Sequence, residues 1–258
     1  MARSDPVDMS AVRPVQVRRL TDEVAEKIRA FILDEDLVEG TRLPSERNLA
    51  EMLGASRPTV SQALRSLTLM GLVEIRRGSG AYVLRQPDRS ITNSLNLLFE
   101  LERENVASLV ELRLWLEQLG VQEAARRGTE ADMVRLRDSL RRLAASVGET
   151  STWIAADTVF HATVVGLSKN PFLTAIYEST HTSVIRYEYQ RWVDDDEVPS
   201  WLRPDAAGSQ LAIHEPIVAA LEAGDVDAAQ AAVLRHNEVM RQHLDSAEAA
   251  RRSVERPR

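Results

Sequence analysis

The segment LPSERNLAEMLGASRPTVSQALRSLTLMGLVEIRRGSGAYV, residues 43–83, decides the fold of the N-terminal part of the chain. Ser45 is a favourable N-cap for a helix over 46–53, which a glycine then ends. Ser56 caps a second helix that runs to Met70, with a proline in its first turn, where proline is tolerated. The segment therefore predicts two helices joined by a tight turn.

A β-hairpin follows the second of these helices. The pattern LVEIRRGSGAYVL, residues 72–84, predicts two short strands joined by a Gly-Ser-Gly turn. Upstream, apolar residues at helical spacing predict a further helix over 17–33. This order of elements is a winged helix-turn-helix arrangement, in which the second helix of the pair enters the major groove of DNA.

The first turns of that second helix carry side chains that suit DNA. Ser and Thr beside free backbone N–H groups favour phosphate contact, and Arg57 and Gln62 match guanine and adenine edges. Residues 76–78, two arginines and a glycine, form the predicted tip of the wing. Between residues 40 and 85 there are seven Arg against three Glu, although the whole chain has a net charge of −7. The alternative interpretation is a small module whose arginines are merely exposed.

Helical periodicity fills the rest of the chain. We predict helices near 90–101, 107–127, 130–147, 150–168, 171–191, 208–223 and 226–246. The expected fold class is mainly α, an N-terminal winged helix-turn-helix followed by an all-α antiparallel helical bundle. The predicted organisation is a flexible arm over 1–16, a DNA-binding domain over 17–88, an all-α effector-binding, metal-binding and dimerisation domain over 89–246, and a frayed tail over 247–258.

Composition excludes several classes of protein. The 258 residues include no cysteine, which excludes disulfides and thiolate metal sites. No apolar run approaches the ~18 residues that a membrane span needs, and the N-terminus lacks the apolar segment of a secretory signal. We therefore expect a cytoplasmic protein without a membrane partner.

The stretch ADTVFHATVV, residues 156–165, places Asp157 and His161 on one face of a helix among apolar neighbours. Burying such groups costs free energy unless they pair or bind a metal. A hydrogen-bonded Asp–His pair is one explanation. The other is a metal site completed by His214 and His236 of the last two helices, because one carboxylate and three imidazoles suit Zn, Ni or Mn and leave positions open.

Residues 17–85 resemble the DNA-binding domain of the GntR family of bacterial transcription regulators. The motifs that carry the resemblance are LPSER, the LA..LG.SR.TV..AL..L core and the RRGSG.YV wing. The resemblance implies DNA contacts at Arg47, Ser56, Arg57, Thr59, Arg77 and Gly78. Many members have Arg where this chain has Ser61, so the base contact at Ser61 differs, and Gln62 is expected to take part of that role.

Residues from about 90 to 246 resemble the FCD ligand-binding domain of the FadR subfamily. The matches are ELRLWLEQLGVQEAA, the D...H of ADTVFHATVVGLSKNPFL, and HEPIVAALEAGDVDAAQAAVLRH. This resemblance implies a divalent metal bound by Asp157, His161, His214 and His236. It also implies that Arg113 faces the ligand cavity, where a guanidinium can hold a carboxylate. The alternative for Arg113 is a helix ion pair with Glu117.

Other polar residues near the expected cavity are less specific. Arg186 and Tyr187 lie in a cluster on the helix after Asn170, which is expected to cap that helix, and we predict that they bind the effector. His181 and His243 fall outside the metal set and are expected at the surface or core edge, although the helix that carries His181 could also line the cavity.

These observations favour a dimeric transcription regulator, with repression as the expected mode. It would bind a near-palindromic operator in double-stranded DNA, lie with the nucleoid when bound, and respond to a small carboxylate held by the metal and Arg113. Two alternatives remain: the metal itself is the signal, or the site is that of a metal-dependent hydrolase. The sequence has no HExxH motif and no separate general base beside the set, so we predict that the chain is not an enzyme.

Overall fold

The computed structural model describes residues 20–86, 88–101 and 106–254. The chain divides into two compact units, Met1–Pro87 and Asp88–Arg258. The described residues are mostly helical, with one two-stranded antiparallel sheet. This confirms the predicted fold class, a winged helix-turn-helix followed by a helical domain.

The first unit has three helices and a hairpin. They are α1 (Leu20–Asp34), α2 (Glu46–Leu53), α3 (Arg57–Leu69), β1 (Val73–Arg76) and β2 (Gly80–Val83). Ser45 caps α2 and Ser56 caps α3, each accepting a hydrogen bond from a backbone N–H at 3.2 Å. Gly54 ends α2 in the left-handed conformation, with φ at 63°. Positions 17–19 of the predicted first helix lie outside the described residues, as does the predicted arm over 1–16.

The core of the first unit lies between α1, α3 and the hairpin. Its least exposed apolar side chains are Ile32, Val60, Ala63, Leu64, Leu67 and Val73. The hairpin pairs Val73 with Val83 and Arg76 with Gly80. The buried face of α3 is thus the one that the apolar spacing predicted, and its first turn stays at the surface.

The second unit is all helical. Its helices are α4 (Asp88–Leu101), α5 (Val106–Arg127), α6 (Glu130–Ala145), α7 (Thr150–Gly166), α8 (Pro171–Asp194), α9 (Ala207–Glu222) and α10 (Val226–Val254). Two short 3₁₀ turns, Ser200–Leu202 and Pro204–Ala206, connect α8 to α9. Among the described residues, no helix has both the length and the apolarity needed to cross a membrane.

Local signals in the sequence account for where these helices begin. Thr129 and Asp132 form a capping box at the start of α6. The Asn170 side chain accepts hydrogen bonds from two backbone N–H groups at the start of α8, as expected. The last helix continues to Val254, beyond the predicted end at residue 246, because the intervening residues are rich in Ala, Glu and Arg, which favour helix. Residues 255–258 of the predicted tail lie outside the described residues.

A glycine allows α5 and α7 to approach each other closely. A Cβ atom built on Gly120 would lie 2.8 Å from a methyl carbon of Val165. Glu117 lies about one turn before Gly120, and His161 lies one turn before Val165. The close approach therefore sets these two polar side chains beside each other in the interior.

Candidate functional site

The predicted DNA-contacting residues lie on the surface of the first unit. Arg47, Ser56, Arg57 and Gln62 are exposed, and Thr59 and Ser61 are half-buried. The Ser56 hydroxyl is occupied as the cap of α3 and lies 2.7 Å from the Thr59 hydroxyl. Arg57 lies 3.7 Å from Glu46, a loose contact at a side chain that is 70% exposed. The N-terminus of α3 thus presents cationic and hydroxyl groups to solvent.

The two arginines at the tip of the hairpin differ in their contacts. Arg76 pairs with Glu74 at 2.7 Å and lies over the Tyr82 ring at 4.4 Å. Arg77 is exposed and has no ionic partner among the described residues. Gly78 holds φ at 74°, a left-handed turn that favours glycine. Of the two, Arg77 is therefore the arginine available to an external phosphate.

In the second unit, four predicted metal ligands meet although they come from three helices. Asp157 and His161 lie on α7, His214 on α9 and His236 on α10, and all four are at most 3% exposed. One ligand atom from each lies within 4.8 Å of the other three. This is the arrangement that the Asp-x-x-x-His spacing and the last two helices predicted.

The donor atoms of this cluster face one another. Oδ1 of Asp157 lies 3.3 Å from Nε2 of His214 and 3.6 Å from Nε2 of His161. Nε2 of His214 and Nε2 of His236 are 3.1 Å apart. Two ligands on one divalent metal, with bonds of about 2.0–2.1 Å, stand roughly 3.0–3.4 Å apart. The spacing of the side chains therefore fits a metal ion.

In two of the imidazole rings, the nitrogen that points away from the cluster has a hydrogen-bond partner. That partner determines which ring nitrogen carries the proton. Nδ1 of His214 donates to the Gln210 carbonyl at 2.6 Å. Nδ1 of His161 contacts the Glu117 carboxylate, which is fully buried. In both rings the outward nitrogen is occupied and Nε2 faces inward, as is usual for metal-bound histidines. The buried Nε2 of His161 has no hydrogen-bond partner among the described residues.

Two carboxylates, Asp157 of the cluster and the neighbouring Glu117, determine the direction of the pKa shift of His161. Burial alone would lower the pKa of His161, but Glu117 and Asp157 outweigh burial and raise that pKa to about 10. Burial alone would raise the pKa of Asp157, but His161 and His214 bring it well below its usual value. Burial, with His214 and His161 nearby, lowers the pKa of His236. Without a metal, the imidazole of His161 is therefore in its protonated, cationic form at neutral pH, between the carboxylates of Glu117 and Asp157.

A cavity of about 640 Å³ opens beside the cluster. Asp157 and His236 form part of its wall, together with Arg113, Asn237 and Glu188. Arg113 is 8% exposed and donates to the Asn237 side-chain oxygen, and its buried Nε has no partner among the described residues. Arg113 therefore faces the cavity rather than forming a simple helix ion pair.

The structure does not bring the other two predicted effector-binding residues to this cavity. Arg186 lines a separate groove, of about 410 Å³, between α7 and α8. Tyr187 is 55% exposed. The next two residues of α8, Glu188 and Tyr189, line the cavity in their place. The effector role of Arg186 and Tyr187 remains a prediction that these positions do not support.

Two residues that the sequence placed outside the site lie against it. Glu117 was considered only as a partner for Arg113, but it contacts His161. His181, expected at the surface or core edge, is fully buried, and its Nε2 lies 3.8 Å from Oδ2 of Asp157. Burial, with Arg113 and His161 nearby, lowers the pKa of His181 to about 3. Only packing of α5 and α8 against α7 reveals these contacts.

Comparisons with known proteins give the same division of the chain. Residues 20–83 match the bacterial regulatory proteins of the gntR family, and residues 108–246 match the FCD domain. The chain is 33% identical over 255 residues to the Uxu operon transcriptional regulator of Escherichia coli strain K12, across 91% of this chain and 88% of that protein. It is 32% identical over 209 residues to the HTH-type transcriptional regulator LutR of Bacillus subtilis strain 168, across 80% of this chain and 92% of LutR.

A solved structure supports the fold independently. Streptococcus agalactiae GntR is similar with a TM-score of 0.65 at 24% sequence identity, across 86% of this chain and 99% of that one. Both relatives are transcription regulators, in agreement with the expectation that the chain is a regulator and not an enzyme. The chain belongs to the GntR family of transcription regulators and carries an FCD domain in its second unit.

Proposed function

We propose that this regulator is a metal-containing sensor of a small organic carboxylate, and that it represses transcription as a homodimer on a near-palindromic operator. The observation that supports this most directly is that two residues of the four-ligand cluster, Asp157 and His236, lie in the wall of a cavity that also contains Arg113. A carboxylate held by a metal at Asp157 and by the Arg113 guanidinium would be fixed at two points.

The residues present fit a divalent metal ion. Asp157, His161, His214 and His236 would hold it, and three nitrogens with one oxygen suit Zn, Ni or Mn. When bound, the ion supplies positive charge and open positions for an anionic ligand. Arg113 would orient that anion beside the apolar part of the wall, which includes Trp153 and Ile185.

The exposed N-terminus of α3 would read the operator. Arg57 and Gln62, which are exposed, would reach base edges in the major groove, and Arg77 and Gly78 would contact the backbone from the wing. Arg47, Ser56, Thr59 and Ser61 complete the proposed contact set. Since a DNA-binding regulator works where the chromosome is, we place this chain in the bacterial cytoplasm.

Coupling between the sites requires that the carboxylate bind two conformations of the protein with different affinity. The test starts from metal-loaded protein and a thermal-shift panel of organic acids, because an acid at 100 times its dissociation constant adds ~2.7 kcal/mol of stability. An acid that raises the melting temperature should then weaken operator binding in a gel-shift assay. If none of the stabilising acids changes operator binding, the proposed sensor function is wrong.

A second candidate is that the metal alone is the signal, and the convergence of four protein donors at one point supports it, because these donors could hold a metal ion by themselves. Operator affinity is titrated against zinc with and without the stabilising acid. A response to zinc alone favours metal sensing, and a response only to the acid favours the sensor of carboxylates. If chelation changes neither response, the metal has a structural role.

A further inference from the structure

The Asn237 side chain bridges two oppositely charged residues of α5. Asn237 lies on α10 directly after His236, and it lines the cavity beside Arg113. Its side-chain oxygen accepts a hydrogen bond from the Arg113 guanidinium. Its amide nitrogen donates to the Glu117 carboxylate at 3.4 Å and to the Val233 backbone carbonyl at 3.0 Å. One neutral amide is thus bonded to a cation at one end and to an anion at the other.

The orientation of this amide follows from its partners. An amide oxygen only accepts hydrogen bonds, and an amide nitrogen has two N–H groups that only donate them. The Arg113 guanidinium only donates, whereas the Glu117 carboxylate and the Val233 carbonyl accept. The reverse orientation would set the nitrogen of Asn237 against a donor and its oxygen against two acceptors. The three contacts therefore agree on one orientation.

Arg113 and Glu117 would otherwise be expected to pair with each other. They carry opposite charges, are four residues apart on one helix and are at most 8% exposed. Attraction between charges is strong in an interior of low dielectric constant. In the part of the chain that the structure describes, however, no ion pair joins the two side chains, and each contacts Asn237. The Asn237 amide takes the place of a direct ion pair.

We propose that Asn237 is a positioning residue of the ligand site: by bridging Arg113 and Glu117 it keeps the two charges from pairing, and it leaves the guanidinium available to the carboxylate of the ligand. This inference rests on the proposed function, because it takes Arg113 as the group that binds the carboxylate. It adds a residue that the proposed metal and carboxylate contacts do not include.

The Arg113 guanidinium keeps donors for such a ligand. Arg113 is 8% exposed, and its Nε is buried without a hydrogen-bond partner among the residues described. A guanidinium has five N–H donors in a planar fork, and a carboxylate can accept from two of them at once. A direct pair with Glu117 would occupy this fork and neutralise its charge. Asn237 is a neutral acceptor, so its contact leaves the positive charge of Arg113 in the cavity wall.

The same bridge leaves Glu117 for the candidate metal centre. One Glu117 oxygen contacts Nδ1 of His161, and the other accepts from Asn237. A direct pair with Arg113 would compete with His161 for this carboxylate. Asn237 therefore separates a cation that faces the ligand from an anion that holds a candidate metal ligand.

A double-mutant cycle tests this separation without any ligand. Arg113→Met, Glu117→Gln and the double variant of the full-length protein are unfolded with urea, once in the wild-type background and once with Asn237→Ala. We expect stronger coupling between the two substitutions in the Asn237→Ala background, because the two charges can then pair directly. Equal coupling in both backgrounds would show that Asn237 does not keep them apart.

The matched control for the cycle is Gln230→Ala. Gln230 also lies on α10, and its amide donates to Gln122 of α5 at 3.3 Å, but it is not among the residues that line the cavity. This substitution should leave the coupling between Arg113 and Glu117 unchanged. If it raises the coupling as much as Asn237→Ala does, any lost contact between α5 and α10 is sufficient and the specific role of Asn237 is wrong.

Acetate binding tests the consequence for the ligand. Acetate carries a carboxylate, and acetamide is a neutral molecule of the same shape, so NMR titrations of both on zinc-loaded protein measure recognition of the charge. We expect Asn237→Ala to weaken acetate binding at least about 10-fold, the effect of losing a hydrogen bond between charged groups. Adding Glu117→Gln should restore most of the affinity, because no carboxylate then remains to pair with Arg113.

The possible failures are distinguishable. Acetate that binds wild-type protein no better than acetamide would overturn the proposed carboxylate sensor, whatever the result of the double-mutant cycle. Acetate that binds the wild type and Asn237→Ala equally well would leave the sensor in place and overturn the role of Asn237. A loss in Asn237→Ala that Glu117→Gln does not restore would mean that capture of Arg113 by Glu117 is not its cause, which also contradicts the proposal.

Discussion

The candidate functional side chains of the two units of this regulator lie in opposite environments. In the DNA-reading unit, Arg57 and Arg77 are exposed. Arg57 has one loose ion pair, and Arg77 has no ionic partner among the described residues. Capping residues such as Ser56 stabilise the helices of this unit. In the helical unit, Asp157 and His161 are at most 3% exposed. Asp157 contacts His214, and His161 contacts Glu117. An exposed side chain binds a partner from outside the protein, so its residue type and its position on the surface are sufficient for that role. A buried one functions only if several helices are correctly packed.

We therefore expect substitutions in the two units to affect different properties of the protein. A change at the DNA-reading surface should reduce binding and leave stability intact. A change in the helical unit should alter metal binding, stability and protonation together.

The largest effect is expected for His161→Ala. Structural zinc sites are worth about 10–16 kcal/mol for about four ligands, so one ligand contributes roughly 2.5–4 kcal/mol and its loss weakens binding about 70- to 900-fold. Zinc titration with a competing chelator measures this. The control is His243→Ala, a half-buried histidine stacked on Trp201 outside the cluster. Full zinc stoichiometry at unchanged affinity in the His161 variant would remove it from the site.

Arg57→Ala tests the exposed side of the comparison. If Arg57 makes a bidentate contact with a base, operator binding weakens by ~1–3 kcal/mol while the melting temperature stays within error, because the side chain is 70% exposed. Fluorescence anisotropy on operator and on random DNA measures the effect. An equal loss on both DNAs would show that Arg57 touches only phosphate.

Gly120→Ala tests how tightly the helical unit is packed. The added methyl group would lie 2.8 Å from Val165, so α5 and α7 must separate, at a cost of about 1–3 kcal/mol. The matched control is Gly166→Ala, also in a helix but with no atom within 4 Å of the added carbon. Chemical denaturation should find the control neutral or more stable, by up to about 1 kcal/mol. Similar stabilities for the two variants would contradict the close approach of α5 and α7.

The pH dependence of metal binding offers the finest test. The pKa of His161 is raised to about 10 in the metal-free protein, so at pH 8 this ring is protonated and must release a proton when metal binds. Affinity should therefore rise by about 1.4 kcal/mol per pH unit, and level off as the pH passes 10. Calorimetry in buffers of different ionisation enthalpy should count about one proton released at pH 8. Release of none would place the His161 pKa near its ordinary value.

The same raised pKa has a consequence for the stability of the metal-free protein, and its sign is defined. Because the folded-state pKa of His161 lies above the unfolded value of about 6.5, its stabilisation is complete below pH 6.5 and is lost as the pH rises towards 10. The depressed pKa of Asp157 acts at the other end, since its contribution is lost as the solution becomes acidic.

Sequence reasoning predicted most of the fold because the local signals agree. Ser45, Ser56 and Asn170 cap the helices expected of them, and the apolar spacing of α3 predicted its buried face. The four candidate metal ligands could be predicted because Asp157 and His161 are spaced by one helical turn, and because the resemblance to the FCD domain added the two histidines further along the chain; the structure brings the four side chains together.

The residues that sequence reasoning misplaced share one physical cause. Helix α8 is buried on most of its circumference, so its composition does not indicate which side faces the cavity. Arg186 and Tyr187 were chosen there, although Glu188 and Tyr189 line it. Glu117 has an arginine four residues before it, so the local ion pair was considered before the tertiary contact with His161. Contacts between helices that are distant in sequence have no periodic signature.

The glycine at position 120 has an importance that no list of binding groups would record. Gly120 has no side chain that could form a hydrogen bond or touch a ligand. Because it lacks a methyl group, α5, which carries Arg113 and Glu117, can pack closely against α7, which carries Asp157 and His161. With that spacing held at van der Waals contact, α5 cannot move closer to α7 when a ligand arrives. We therefore expect any rearrangement on ligand binding to occur in the other walls of the cavity, because α5 and α7 are already closely packed at Gly120.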